Sequence, residues 1–180
     1  MVNFIKRWAT GIVMLLLLIT SRMPSHTLRI YIYRYIFRVK MGSGVTIYSG
    51  VEMRSPWKIS IDDNSVIGNY CLLDGRRGLK IGKNVNVSSG VWIWTLHHDA
   101  QSSSFEAKGS EVVIEDYVWL CSRSTLLPGV HVKRGAIVAS SAVVVKCVDE
   151  FSIVGGVPAK KIGDRNKSLD YKLDYRIPFI

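Results

Sequence analysis

Among the residues able to do chemistry, two adjacent imidazoles stand out. His97 and His98 open a polar stretch, His97-His98-Asp99 through Glu111, and are two of the four histidines in the chain. An imidazole titrates near neutrality, which suits it to proton transfer; the plainer reading is a solvated surface pair. His131, on a strand and facing outward, and His26, in the N-terminal segment, read as ordinary surface residues. A three-histidine zinc site needs convergent ligands. His97, His98 and His131 lack that facing, since two of them are neighbours. Cys71, Cys121 and Cys147 form no CxxC, which excludes a zinc ribbon or a thioredoxin-type site. Their odd number suits a reducing compartment, and they read as free buried thiols. No GxSxG elbow occurs, so no serine nucleophile of that kind is present.

The elements that must position the histidines come from a repeat. Every sixth residue from Ile114 is aliphatic: Ile114, Leu120, Leu126, Val132, Val138, Val144. Four further on in each hexad the residue is small or β-branched: Val118, Ser124, Val130, Ala136, Ala142, Val148. The aliphatic phase recurs at Ile61, Ile67 and Leu73, slips by two at Arg76-Arg77-Gly78, and resumes at Ile81, Val87 and Ile93. A fainter start lies at Val45 and Val51. This predicts a parallel β-helix in which three hexads make one triangular coil and stacked coils bury a continuous core. Ile67-Gly68-Asn69, Ile81-Gly82-Lys83-Asn84 and Ile114-Glu115-Asp116 fit corners that want Gly, Asn or Asp. An ordinary sandwich alternates with period two and would not hold an exact hexad phase. The spacing from Ile93 to Ile114 is three residues more than a full coil, and the histidine stretch fills that break. In a regular scaffold, function tends to sit on the irregular loop.

The net charge is +10, but residues 1–40 hold seven bases and no acid, so the remainder carries only +3. That body shows no nucleic-acid-binding motif, and its charge does not suggest one. Within the basic segment, Gly11 to Ile19 is an uninterrupted apolar run flanked by Lys6, Arg7 and Arg22. It is too short to span a bilayer by itself. It fits a signal-peptide core, a signal anchor, or a helix packed on the body or lying in a membrane interface. Ser25 is placed to cap a second short helix through Leu28–Val39.

Several stretches together carry a family resemblance: Trp94-Thr95-Leu96-His97-His98-Asp99 with Phe105, Val118-Trp119-Leu120, Leu127-Pro128-Gly129-Val130, and Gly155-Gly156-Val157-Pro158-Ala159-Lys160. Over residues 41–163 the chain resembles the left-handed β-helix hexapeptide-repeat acyltransferases, in the branch of galactoside and maltose acetyltransferases and polysaccharide O-acetyltransferases. The left hand comes from the resemblance alone, because parallel crossovers are usually right-handed. The implied fold is all-β, with an N-terminal helical segment over 1–40, the β-helix over 41–163 carrying an excursion loop at 97–111, and a tail over 164–180.

The resemblance also implies an activity: an acetyl-CoA-dependent O-acetyltransferase acting on a carbohydrate hydroxyl by direct transfer, without metal. In the family a loop His is the general base. The family pattern is a His followed by Asp or Pro with an aromatic seven residues on, which points to His98 before His97. Trp119 and Ser122 match positions beside the pantetheine arm; Ser140 and Val145 match positions that bond the cofactor amides; Lys146 and Lys160 match bases near the CoA phosphates. Cys121 stands where glycine is usual, and Val145 where Thr is common. Asp74 and Arg76, one coil before the loop, and Trp94 are the acceptor-side candidates, with Asp74 also able to orient the His or merely serve a turn. Family members are typically homotrimers with sites between subunits. The expected location is cytoplasmic, with residues 1–40 at the inner face of the membrane, where lipid-linked acceptors would be met. The other functions such a fold allows are a non-catalytic membrane scaffold, an acyltransferase using a different acyl-CoA or a non-sugar acceptor, and a γ-type carbonic anhydrase.

Overall fold

The computed structural model describes residues 2–173, with side chains from residue 4. Three parallel sheets form the faces of a prism. The first stacks Lys40–Met41, Ile59–Ile61, Leu79–Ile81, Val112–Ile114 and His131–Val132. The second runs from Thr46–Ile47 through Val66–Ile67, Asn86–Val87, Trp119–Leu120 and Ile137–Val138 to Ser152–Gly155, and Lys160–Asp164 then folds back antiparallel on its edge. Glu52–Arg54, Leu72–Asp74, Trp92–Ile93, Thr125–Leu126 and Val143–Val144 make the third. The hexad aliphatics from Ile114 to Val144 are all buried inside the prism, as are the corner residues from Val118 to Val148. Burying each such Val, Leu or Ile side chain is worth about 1.5–3 kcal/mol.

The corners have a regular backbone cause. At most corners the third residue after the inward aliphatic takes a positive φ, as at Asn64, Tyr70, Asn84, Tyr117, Arg123, Gly129, Gly135 and Ser141, but not after Leu73, Ile93 or Val144. The small residue that follows then points inward. Gly68 and Gly82 serve a different purpose from the one the sequence suggests. Neither has a positive φ; a Cβ on Gly68 would stand 2.6 Å from the Ser89 nitrogen, and one on Gly82 2.8 Å from the Asp116 nitrogen. They permit close approach between coils.

Coil length varies. Thr46 pairs with Val66 and Val66 with Asn86, whereas Trp119 pairs with Ile137. The early coils are therefore two residues longer than the later ones, which keep to three exact hexads. The two-residue slip occurs twice, once between Leu73 and Ile81 and once, undetected in the sequence, between Met53 and Ile61, where Pro56–Lys58 make a 3-10 turn. Met41, Ile47 and Met53 occupy the inward positions of the first coil, and Val45 and Val51 are its corner residues. Trp92 pairs with Thr125 across the break, and the histidine stretch lies wholly between them. The break is thus an insertion into one corner of an otherwise short coil.

At the N-terminus α1 (Val2–Ser21) packs Leu17 on the body and leaves Phe4, Ile5, Trp8, Ile12, Leu15, Leu16 and Ile19 exposed. Its 18 residues Phe4–Ser21 are long and apolar enough to cross a membrane, and extend well beyond the apolar run Gly11 to Ile19. α2 (His26–Tyr31), capped by Ser25, runs into one π-helical turn at Ile32–Ile36, and the chain leaves the helical path at Arg38, φ +58. This pair stops short of Val39 and closes the open end of the prism with Tyr33, Phe37 and Arg29. Arg29 donates to the Ile47 carbonyl and, with 3.0 Å between the atoms, to Nδ1 of His26. His26 is consequently 4% exposed, a buried partner of the cap and not a surface residue. At the other end Arg165 bonds the Tyr117 carbonyl and Tyr171 packs edge-on against Tyr117, which lays residues 165–173 back along the prism; residues 174–180 of the expected tail lie outside the described residues.

Candidate active site

The inserted corner is a hairpin in which His97–His98 pair antiparallel with Ala107–Lys108. Its turn is held by Asp99, whose carboxylate accepts from the Gln101 nitrogen at 3.0 Å and from Lys108 Nζ at 3.4 Å. The Gln101 N–H, then the Lys108 charge, hold that carboxyl below the usual range.

The two histidines differ sharply. His98 Nδ1 lies 2.7 Å from the Phe105 carbonyl oxygen, and its ring stacks on Phe105 at 3.9 Å with a 10° interplanar angle. Phe105 holds φ +53, and from that conformation its carbonyl and its ring both meet the same imidazole. A carbonyl only accepts, so Nδ1 carries the proton, and in the neutral ring Nε2 is left with a free lone pair. His97 is exposed and makes no side-chain hydrogen bond among the described residues. His131 is tied to Glu115 on the first sheet, Nε2 to Oε1 at 2.6 Å, away from the loop.

The loop is anchored by Asp74, whose side chain is fully buried. Oδ1 accepts from the Arg76 backbone at 3.0 Å and Nε at 2.9 Å; Oδ2 accepts from Arg76 Nη2 at 2.9 Å and the Thr95 nitrogen at 3.0 Å. Burial alone would raise its pKa, but the Arg76 side-chain bond and the Arg76 and Thr95 backbone bonds outweigh it, so the carboxyl sits below its ordinary range. Arg76 Nη2 also reaches the Leu96 carbonyl at 3.2 Å, and Thr95 Oγ1 accepts from the Arg77 nitrogen. All four acceptor positions of Asp74 are filled. It has no lone pair for an acceptor hydroxyl and acts instead as a staple across the root of the loop. Trp94 stands beside that root, edge-on to Trp92 and under the Arg54 guanidinium at 5.0 Å.

Arg54 escapes the sequence reading, and Thr95 enters it only within the family stretch, with no role of its own. Arg54 pairs in register with Asp74, and Trp94 follows one long coil further on, so the three form one column. Only the longer coils bring them into line: the interval from Arg54 to Asp74 takes its extra length from the slip at Pro56–Lys58, and that from Asp74 to Trp94 from the slip at Arg76-Arg77-Gly78.

Trp119 lies on the second sheet, half-exposed, with Nε1 3.1 Å from Ser88 Oγ. Ser122 and Ser140 are exposed at the corner between the second and third sheets, where the Ser141 nitrogen bonds the Ser122 carbonyl. Val145 and Lys146 are exposed at the other edge of the third sheet, the edge that carries the histidine loop, and Lys160 is exposed at the start of the last strand. One chain therefore does not gather these residues: the third sheet separates Trp119, Ser122 and Ser140 from His98. All three cysteines are free, but only Cys71 is buried, with its thiol pushed up to about 11 by burial.

No protein-family model matches the chain. A hexapeptide-repeat acetyltransferase from Vibrio cholerae superposes with a TM-score of 0.78 at 24% identity, over 84% of this chain and 88% of that one. WbbJ of Escherichia coli K12, named for O-acetyl transfer in lipopolysaccharide biosynthesis, is 30% identical over 139 residues, 68% of this chain and 71% of that protein. The chain belongs to the hexapeptide-repeat acetyltransferases. WcaF of the same strain, named as a colanic acid biosynthesis acetyltransferase, is 28% identical to this acetyltransferase over 130 residues, 72% of this chain and 71% of that one. A superposition distinguishes hands, so the prism winds as the Vibrio acetyltransferase does, with the hand the resemblance implied.

Proposed function

We propose that this acetyltransferase moves an acetyl group from acetyl-CoA to a carbohydrate hydroxyl in the synthesis of a surface polysaccharide. The observation that carries the mechanism is the 2.7 Å contact of His98 Nδ1 with the Phe105 carbonyl, from which the tautomer follows. His98 Nε2 accepts the proton of the acceptor hydroxyl as that oxygen attacks the thioester carbonyl. The C–O bond forms, the C–S bond breaks, and CoA leaves as a thiolate that takes up a proton, without an acyl-enzyme. Asp74 and Arg76 hold the loop root and Trp94 flanks it. Trp119, Ser122, Ser140, Val145, Lys146 and Lys160 serve the CoA side, and their distribution over two corners supports a homotrimer in which one copy's loop faces a neighbour's coil. The enzyme acts at the cytoplasmic face of the membrane, with α1 as its contact.

Two measurements test this. The purified full-length chain, given acetyl-CoA and saccharides of surface polysaccharides, is expected to release CoA thiol in step with acetylated sugar; thiol release without an acetylated product counts against sugar transfer. With sedimenting vesicles, most of the protein is expected to pellet with anionic lipid and less at high salt. Ile12→Glu combined with Leu16→Glu should return it to the supernatant, and an unchanged distribution removes α1 as the contact.

A further inference from the structure

Between α1 and the third sheet runs an apolar groove of about 600 Å³. Ala9, Val13 and Leu17 line it from the helix, Trp57 from the opposite wall, and its two charged lining residues, Arg54 and Arg76, are both cations. Arg54 is not consumed by the fold. Among the described residues its Nε is buried without a hydrogen-bond partner, and its ion pair to Glu52 is long at 3.5 Å. Arg76 commits Nε and Nη2 to Asp74 and the Leu96 carbonyl, and its side chain is still 30% exposed. Both arginines also touch the root of the histidine loop, Arg54 over Trp94 and Arg76 at Leu96. The groove thus joins a helix with an apolar outer face to a pair of guanidiniums that touch the root of the histidine loop.

We infer that this groove receives the acceptor as a membrane amphiphile, a saccharide joined through phosphate or diphosphate to a long apolar chain. The chain lies between α1 and Trp57, the phosphate meets Arg54 and Arg76, and the sugar reaches His98. Guanidiniums bind phosphate by paired, charge-assisted hydrogen bonds. A water-soluble sugar would gain nothing from the apolar walls, and a neutral lipid nothing from the arginines. The sugar end of this assignment rests on the acetyltransferase reading; the lipid and phosphate ends rest on the groove alone.

The experiment therefore reads binding without turnover. A benzophenone-bearing geranylgeranyl diphosphate is photo-crosslinked to the full-length protein below its micelle concentration, and the labelled peptides are mapped by mass spectrometry. Label is expected on Ala9, Thr10, Val13 and Leu17 and within residues 54–57. Geranylgeranyl diphosphate should compete about tenfold better than geranylgeraniol, the scale of a charged hydrogen bond, and inorganic pyrophosphate should not compete. Arg54→Ala should cut that preference for the diphosphate at least threefold, and Ala9→Trp, which fills the groove, should abolish the label while circular dichroism stays unchanged. Equal competition by the alcohol, or label confined to the outer face at Phe4, Trp8 and Leu15, overturns the inference. A protein that labels as expected yet acetylates no sugar keeps the groove and loses the activity.

Discussion

His98→Ala is expected to lower kcat for acetyl transfer by about 10²–10⁴-fold, the usual range for a general base, with little change in KM for acetyl-CoA. His97→Ala should stay within about threefold of the parent, because transition-state stabilisation worth less than about 1 kcal/mol rests on it. The asymmetry follows from hydrogen bonding. Only His98 has a carbonyl fixing its Nδ1 proton, so only His98 presents an Nε2 of defined protonation and direction. His98→Asn is the stricter variant, since it can still bond the Phe105 carbonyl but cannot accept a proton. It should be as slow as alanine while the loop keeps its shape. Both histidines are exposed, so melting temperatures should not move. An active His98→Ala paired with a dead His97→Ala would falsify the assignment.

Asp74→Ala carries the largest expected stability change outside the aliphatic core. It leaves the Arg76 guanidinium and the Arg76 and Thr95 N–H groups without their acceptor. Arg76 is 30% exposed and recovers part of its solvation, so about 2–4 kcal/mol is expected, less than for a fully buried pair. Because the staple crosses the loop root, kcat should also fall, by about tenfold or more, as a displaced base loses its approach. The effect depends on pH in a definite direction. The folded-state pKa of Asp74 lies below its unfolded value, so its contribution is complete above that unfolded value, about 4, and is lost as pH falls through the folded one. Denaturant unfolding of parent and variant should therefore differ by a constant amount from about pH 5 to 8 and converge in stronger acid. A gap that persists in stronger acid would show that the carboxylate charge contributes nothing.

Much of this molecule is legible in its sequence. Side chains alternate in and out along a strand, so a buried aliphatic column writes itself into the chain as a hexad period. The same regularity makes an insertion visible, and two of the four histidines fall in it. Residues that act through stacking are harder to find, because their partners depend on coil length. Arg54, Asp74 and Trp94 align only across the longer early coils, while the clearest hexads, from Ile114 onward, imply the shorter ones.

The charge that draws attention in the sequence is also redistributed by folding. Of the seven N-terminal bases, Arg29 is buried in the cap and Arg34 bonds the Gly42 carbonyl, which leaves fewer for any anionic surface. The period settled the parallel β-helix and the inserted loop with its two histidines, while the hand of the helix and the role of a loop His came from the family resemblance. Tertiary structure alone decided which imidazole has its Nδ1 against a carbonyl, that Asp74 is saturated, and that Trp119, Ser122 and Ser140 sit across the third sheet from His98. Those facts depend on which backbone groups of distant coils come within hydrogen-bonding distance, and a periodic pattern records only the direction in which each side chain points.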